Sequence, residues 1–304
     1  MRYFLEIAYQ GTHYHGWQIQ RNATTVQGII QEKLTQLLST QIEITGSSRT
    51  DTGVHAQQQW AHLDIPFELN VNKLQYKLNL ILPPDIAILG MYSVIPTAHS
   101  RFDATNRTYV YKITRTKNPF LSTTTYAFRK ELDVDTMNEA AVILKLHKDF
   151  ESFSKLGSAT PHLYLCDILE ANWYTNSEDQ LIFQVTANRF LRGMVRAIVG
   201  NLLEVGLGKL SIQDFKYILE QKDRSLGASL VPACGLTLKQ VSYPTSIFTE
   251  LNRSLPKPRI GLSGQEGICE KPELWCRGAT PDTTMDCQET FLTAQGGGFG
   301  KSLI

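Results

Sequence analysis

"GSSRTDTGVHAQQQWAHLDI", residues 46–65, decides how the chain is to be read. Its second part, from Gln57 on, is an apolar-rich run that reads as a strand. Its first part is small and polar and surrounds Asp51-Thr52-Gly53. Asp-Thr-Gly is the motif with which aspartic proteases set two carboxylates around a shared proton. The context opposes that reading. A protease buries the motif among apolar strand residues, whereas Ser48, Arg49 and Thr50 precede it here. No second Asp-Ser/Thr-Gly occurs, so a second aspartate would have to come from a symmetric dimer. A shared proton needs a second carboxylate, but the near neighbour is Arg49. On a strand it would face the same way as Asp51, and a nearby cation favours the ionised form. A turn aspartate packed beside Gly53 is the plainer alternative, and spacing alone leaves both open.

Bulk properties bound the answer. A chain of 304 residues with 42% hydrophobic content supports a sizeable core and two domains or half-domains. No apolar run is long enough for a membrane span, and "MRYFLEIAYQ" lacks a signal-peptide core; a cytoplasmic protein without a membrane partner is expected. Five cysteines are an odd number with no C-x-x-C pair, which favours free thiols over a disulfide framework or zinc. A formal net charge of +1 neither announces nor excludes a nucleic-acid partner, because phosphates need local basic patches.

Periodicity predicts strands over residues 2–9, 41–49, 57–65, 86–95, 105–116, 162–175, 179–190 and 235–243. It predicts helices over 24–39, capped by Thr24 or Thr25, over 72–82, ended by Pro83-Pro84, over 133–147, and from about residue 189 onward. Strands and helices mix in a similar order in both halves. The expected class is therefore α+β, with antiparallel sheets and helices on one side. No glycine-rich phosphate loop follows the first strand. After Pro244 periodicity fades through "LPKPRIG" and "AQGGGFGKSLI", so 245–304 is expected to be a mostly disordered tail carrying Cys269, Cys276 and Cys287.

Five ordered stretches then agree with one family. "SSRTDTGVHA" resembles the G-R-T-D-A-G-V-H-A hallmark of the TruA family of tRNA pseudouridine synthases, with Ser48 and Thr52 as departures. "GTHYHGWQIQ", "SRFDATNRTYVYKI", "NRFLRGMVRAIVGNLLEVG" and "ACGLTLKQVSYP" are similar to its other segments, so residues 2–244 are covered. The resemblance implies two ferredoxin-like lobes, 1–98 and 99–244, sharing an antiparallel sheet with a central RNA-binding cleft. It implies a homodimer acting on tRNA, not DNA, without metal or other cofactor. The implied reaction isomerises uridine to pseudouridine at tRNA positions 38, 39 and 40.

The same resemblance assigns residues. Asp51 aligns with the catalytic aspartate, acting either as a nucleophile or as a base toward the sugar. Arg49 is placed to keep Asp51 charged and to fill the space left by a flipped base; a surface arginine is its plain alternative. Tyr109 aligns with the active-site tyrosine, which stacks on uracil or relays a proton; half-buried core is the alternative, and Tyr111 is its neighbour on the same face. Arg196 aligns with an arginine that pairs with the aspartate. Arg189 and Arg192 fall with Arg196 at i, i+3 and i+7, a basic helical stripe that reads as phosphate contacts or as a solvated face. A metal site from His13, His15 and His55 has no supporting spacing. Two competing classes are a dimeric aspartic hydrolase and an RNA-binding protein without catalysis.

Overall fold

The structure is a computed structural model, and it describes residues 1–68, 70–154 and 164–249. From residue 250 on, the expected tail and its three cysteines lie outside the described residues.

The first half runs β1 (Arg2–Tyr9), α1 (Val26–Leu38), β2 (Thr45–Gly46), β3 (His55–Asp64), α2 (Val71–Ile81) and β4 (Ile86–Ser93). The second runs β5 (Asn106–Thr114), β6 (Tyr126–Ala127), α3 (Val134–Leu146), β7 (Ile168–Thr175), β8 (Leu181–Ala187), α4 (Met194–Gly206), α5 (Ile212–Gln221) and β9 (Leu236–Ser242). One sheet joins them in the order β4-β1-β3-β9-β5-β8-β7, with the short β2 on β3 and β6 on β5. In each half the last strand lies beside the first, and a middle strand flanks the first on its other side. The α+β class with a shared, mostly antiparallel sheet is thus as the sequence predicts. The halves meet where β9 pairs in parallel with the start of β3, His55 opposite Thr237 and Ala56 opposite Leu238.

Local chemistry sets the helices. The Thr25 hydroxyl accepts from the Gly28 N–H at the start of α1, and Val26, Ile30 and Leu34 are buried along one face. Asn70 and Asp133 cap α2 and α3 in the same way. Helix α5 was not expected from periodicity, although Ser211 and Asp214 form a reciprocal capping box at its start.

Four expectations change; the strand expected over 162–175 begins only at Ile168. The strand expected over 41–49 shrinks to Thr45–Gly46. Side chains of α1 replace a strand partner there: Ile44 N–H donates to Gln31, Gln27 donates to Ile44 O at 2.7 Å, and Ile42 N–H donates to Thr35. The last long helix begins at Met194 rather than near 189, because Gly193 just before it takes a left-handed φ of 75°. The first five residues of the expected tail, 245–249, pack on the protein. Ile247 is buried, Phe248 meets Phe4, Trp60, Tyr92 and Tyr243, and Ile95 N–H and Thr249 N–H form backbone hydrogen bonds across to Ile247 O and Ser93 O.

Candidate active site

The polar stretch 47–54 leaves β2 and enters β3 as a loop, held by the segment that follows β1. Trp17 N–H donates to Thr50 O, Gly53 N–H to Tyr14 O, and Val54 N–H to Asp51 O at 3.1 Å. Gly16 carries a φ of 85°, and a Cβ there would collide with the Thr50 carbonyl, so only glycine allows this approach. The buried Tyr9 hydroxyl lies 2.8 Å from the Thr50 hydroxyl. Tyr9 itself sits at a register shift between β1 and β3, the kind of irregularity that re-aims a side chain.

His55 closes the loop from below. Its Nδ1 accepts from Gly11 N–H at 3.0 Å, which leaves the ring proton on Nε2 to donate to Cys234 O at 3.1 Å. Burial pushes its pKa down, so it is a neutral framework residue. His13 and His15 are exposed, and no set of three metal-type side chains comes together among the described residues.

The Asp51 carboxylate stands at the surface of this loop with its side chain 27% exposed. Arg192 Nε is 3.5 Å from Oδ1 and Arg196 Nη1 is 4.0 Å from Oδ2. The two arginines differ in setting. Arg196 is mostly covered and its Nε donates to Val231 O at 2.7 Å, whereas Arg192 is largely exposed. The expected helical stripe does not form. Arg189 and Arg192 lie on the loop 188–193 between β8 and α4, and that loop swings Arg192 onto Asp51 instead of aligning it with Arg196. Nor do residues 49 and 51 share a strand, since β2 ends at Gly46. Among the described residues the guanidiniums within 4 Å of Asp51 belong to Arg192 and Arg196, not to the exposed Arg49. Both ion-pair partners of Asp51 among the described residues are cations.

Tyr109 is buried beneath the site on β5, at a register shift between β5 and β9. Its ring meets Phe190 edge-on at 5.1 Å. Burial pushes its hydroxyl up to about 12; the Arg107 cation opposes the rise and the Asp51 charge adds to it. The phenol is therefore neutral near pH 7 and within electrostatic reach of Asp51. Tyr111 on the same strand is fully buried and donates to Pro232 O at 2.8 Å, so it is framework.

Arg107 is a residue that the sequence reading did not single out. It is buried on β5, and its guanidinium donates to four carbonyls: Ala104 and Asn188 through Nη1, Ser47 and Arg101 through Nη2. The Ser47 and Asn188 carbonyls lead into the loops that carry Asp51 and Arg192, and Arg101 lies on the neighbouring loop 99–104. Arg107 had two advance signals: it lies within the family-like stretch "SRFDATNRTYVYKI", and it is a charged residue at the inward register of the strand. Burial lowers its pKa, and so do the neighbouring Arg101 and Arg189 charges, while Tyr243 and Tyr109 oppose the fall. Arg49, Arg101, Arg107 and Arg189 thus share one neighbourhood, while Arg192 and Arg196 face the Asp51 carboxylate.

Such a site can hold an ionised carboxylate against a polyanionic substrate. Two guanidiniums offset the repulsion between Asp51 and phosphates, and a buried neutral phenol can stack or pass a proton. Comparison with known proteins gives the same direction. A family model described as tRNA pseudouridine synthase matches residues 7–103 and 140–244. A protein from Bacteroides fragilis named tRNA pseudouridine synthase A is 47% identical over 248 residues, 81% of this chain and 98% of its own length. Namesakes from Bacteroides thetaiotaomicron and Ruminiclostridium cellulolyticum are 45% and 37% identical, over 82% and 79% of this chain and 93% and 98% of their own.

Proposed function

Because the chain belongs to the tRNA pseudouridine synthase family, we propose that Asp51 is the carboxylate with which it isomerises uridine to pseudouridine in tRNA. The enzyme is an isomerase. The reaction breaks the N1–C1′ bond of the target nucleoside, turns the uracil, and joins C5 to C1′; the C5 proton is lost and N1 gains one, so the atoms balance. An ionised carboxylate beside the sugar opens the glycosidic bond, by attack or by removing a sugar proton. The observation that carries this reading is the Asp51 carboxylate held at the surface between Arg192 and Arg196, with Tyr109 beneath it.

The finer assignments follow the same reading. The target lies in the anticodon stem-loop, at positions 38, 39 and 40, and must leave its stack to reach Asp51. Tyr109 receives the uracil face, and Arg49 fills the vacated space from its exposed place on the loop. Arg189 contacts phosphate, with Arg192 shared between phosphate and Asp51. The protein works as a homodimer in the cytoplasm, with residues 1–98 and 99–244 acting as two lobes on either side of the cleft, without metal or other cofactor. Among the described residues no helix is long and apolar enough to cross a membrane. The test is release of tritium from tRNA labelled at uracil C5, because only formation of the C5–C1′ bond sends that label to water.

A further inference from the structure

The loop 99–104 is fixed by hydrogen bonds from several of its residues, yet it sends a phenyl ring into solvent. His99 N–H donates to Asp103 at 2.7 Å, and Asp103 N–H returns to His99 O. Arg101 N–H, at 3.1 Å, and Phe102 N–H both reach His99 Nδ1. The Ser100 hydroxyl donates to Thr45 O, and Arg107 holds the Arg101 and Ala104 carbonyls. Phe102 is nevertheless 74% exposed. Burying a phenyl group is worth roughly 1.5–3 kcal/mol, and a backbone this constrained forgoes that gain. Single exposed apolar side chains are common, so exposure alone carries nothing; the neighbours decide the matter. The His99 ring lies 4.3 Å from the Phe102 ring, and the Arg101 guanidinium is 5.7 Å from its centroid. Arg101 in turn feels the charges of Arg49 and Arg189. The same Arg107 nitrogen that holds Arg101 O also reaches Ser47 O, four residues before Asp51.

We propose that Phe102, braced by His99 and Arg101 at the cationic rim of the Asp51 site, is a stacking platform for one unpaired nucleobase of the RNA substrate. This rests on the isomerase reading for its ligand. A polyanion is the partner that four arginines, 49, 101, 107 and 189, can share a neighbourhood with, and among polyanions only a nucleic acid brings planar aromatic faces. The platform gives affinity without reading sequence, because every base has a π-face. It lies beside the site rather than within it, so it takes a base next to the target and steadies the strand while the target is turned outward.

The experiment measures binding of an anticodon stem-loop RNA carrying 2-aminopurine at loop positions adjoining the target uridine. The expected result is quenching at one position by the unaltered protein. Phe102→Ala and Phe102→Leu should lose that quenching and weaken binding roughly 5- to 150-fold, with an unchanged salt slope because no phosphate contact is lost. Phe102→Trp should keep both. Leucine separates stacking from apolar bulk, and thermal melting checks that each variant is folded. Equal affinity and quenching for Phe102→Ala, equal behaviour of Phe102→Leu and the unaltered protein, or an effect on oligomeric state alone would each overturn the platform. Neither readout needs turnover. Absence of tritium release by the unaltered protein would therefore remove the isomerase reading while the platform was judged on binding.

Discussion

Asp51 has two cationic neighbours in different surroundings, and the difference predicts how each behaves. Arg192 is 62% exposed, so its pairing is screened by water and worth about 0.2–1 kcal/mol. Arg192→Ala should lower the single-turnover rate roughly two- to fivefold and reduce the salt slope of tRNA binding by about 0.7–0.9, the signature of one lost phosphate contact. Arg196 is 18% exposed and oriented by Val231 O. Its charge acts through less water, so Arg196→Ala should lower the rate at saturating tRNA about tenfold or more while leaving the salt slope unchanged. Arg196→Lys keeps the charge but loses the fork that holds Val231, and should restore only part of the rate. Rate and salt slope measured side by side check this. If the two alanine variants exchanged behaviour, the division of labour drawn from their exposure would be wrong.

At the scale of elements, the site exists because a strand side chain fastens three loops. Arg107→Met would leave four carbonyls without their donor. Since each unsatisfied buried group costs about 1–3 kcal/mol and water reaches some of them, a loss of about 3 kcal/mol in urea unfolding is expected. Turnover should fall further than stability alone explains, because Ser47, Arg101 and Asn188 would no longer be held together. A variant with normal turnover would show that the loops keep their places unaided. The elements themselves were largely legible. Helices α1, α2 and α3 announce themselves through apolar spacing and through the caps Thr25, Asn70 and Asp133. Strand β3 is legible as an apolar-rich run and β5 through partial alternation. What could not be read depends on distant partners. The 41–49 stretch looks like a strand, but Gln27, Gln31 and Thr35 of α1 take its hydrogen bonds. The loop 188–193 has the spacing of a helix, and a single glycine conformation at Gly193 removes it. Motif resemblance singles out Asp51 and Tyr109, and its stretch "SRFDATNRTYVYKI" also holds Arg107. The four carbonyl bonds of Arg107 and the approach of Arg192 to Asp51 arise only once the loops converge.

For the whole molecule, packing continues past the last family-like motif. The family-like segment ends near Pro244, yet Ile247 is buried and Phe248 completes the aromatic cluster of Phe4, Trp60, Tyr92 and Tyr243. A chain ending at Pro244 should be less stable than one ending at Thr249 by about 2–4 kcal/mol, from the loss of one buried aliphatic and one partly buried aromatic side chain. Chemical denaturation of the two chains checks it, and equal midpoints would show that residues 245–249 contribute nothing. The seam between the halves has a larger consequence. Strand β9 joins the start of β3, and that junction sets the Asp51 loop of the first half against Tyr109, Arg192 and Arg196 of the second. The site is therefore a property of the complete sheet, and the carboxylate at its centre is the claim on which the functional account rests. The most direct measurement compares tritium release from C5-labelled tRNA by the unaltered protein and by Asp51→Asn, which keeps the size of the side chain and removes its charge. The account predicts release by the unaltered protein and none above background by Asp51→Asn, with tRNA affinity nearly the same because phosphate contacts supply most of it. Sustained release by a folded Asp51→Asn protein would contradict the account.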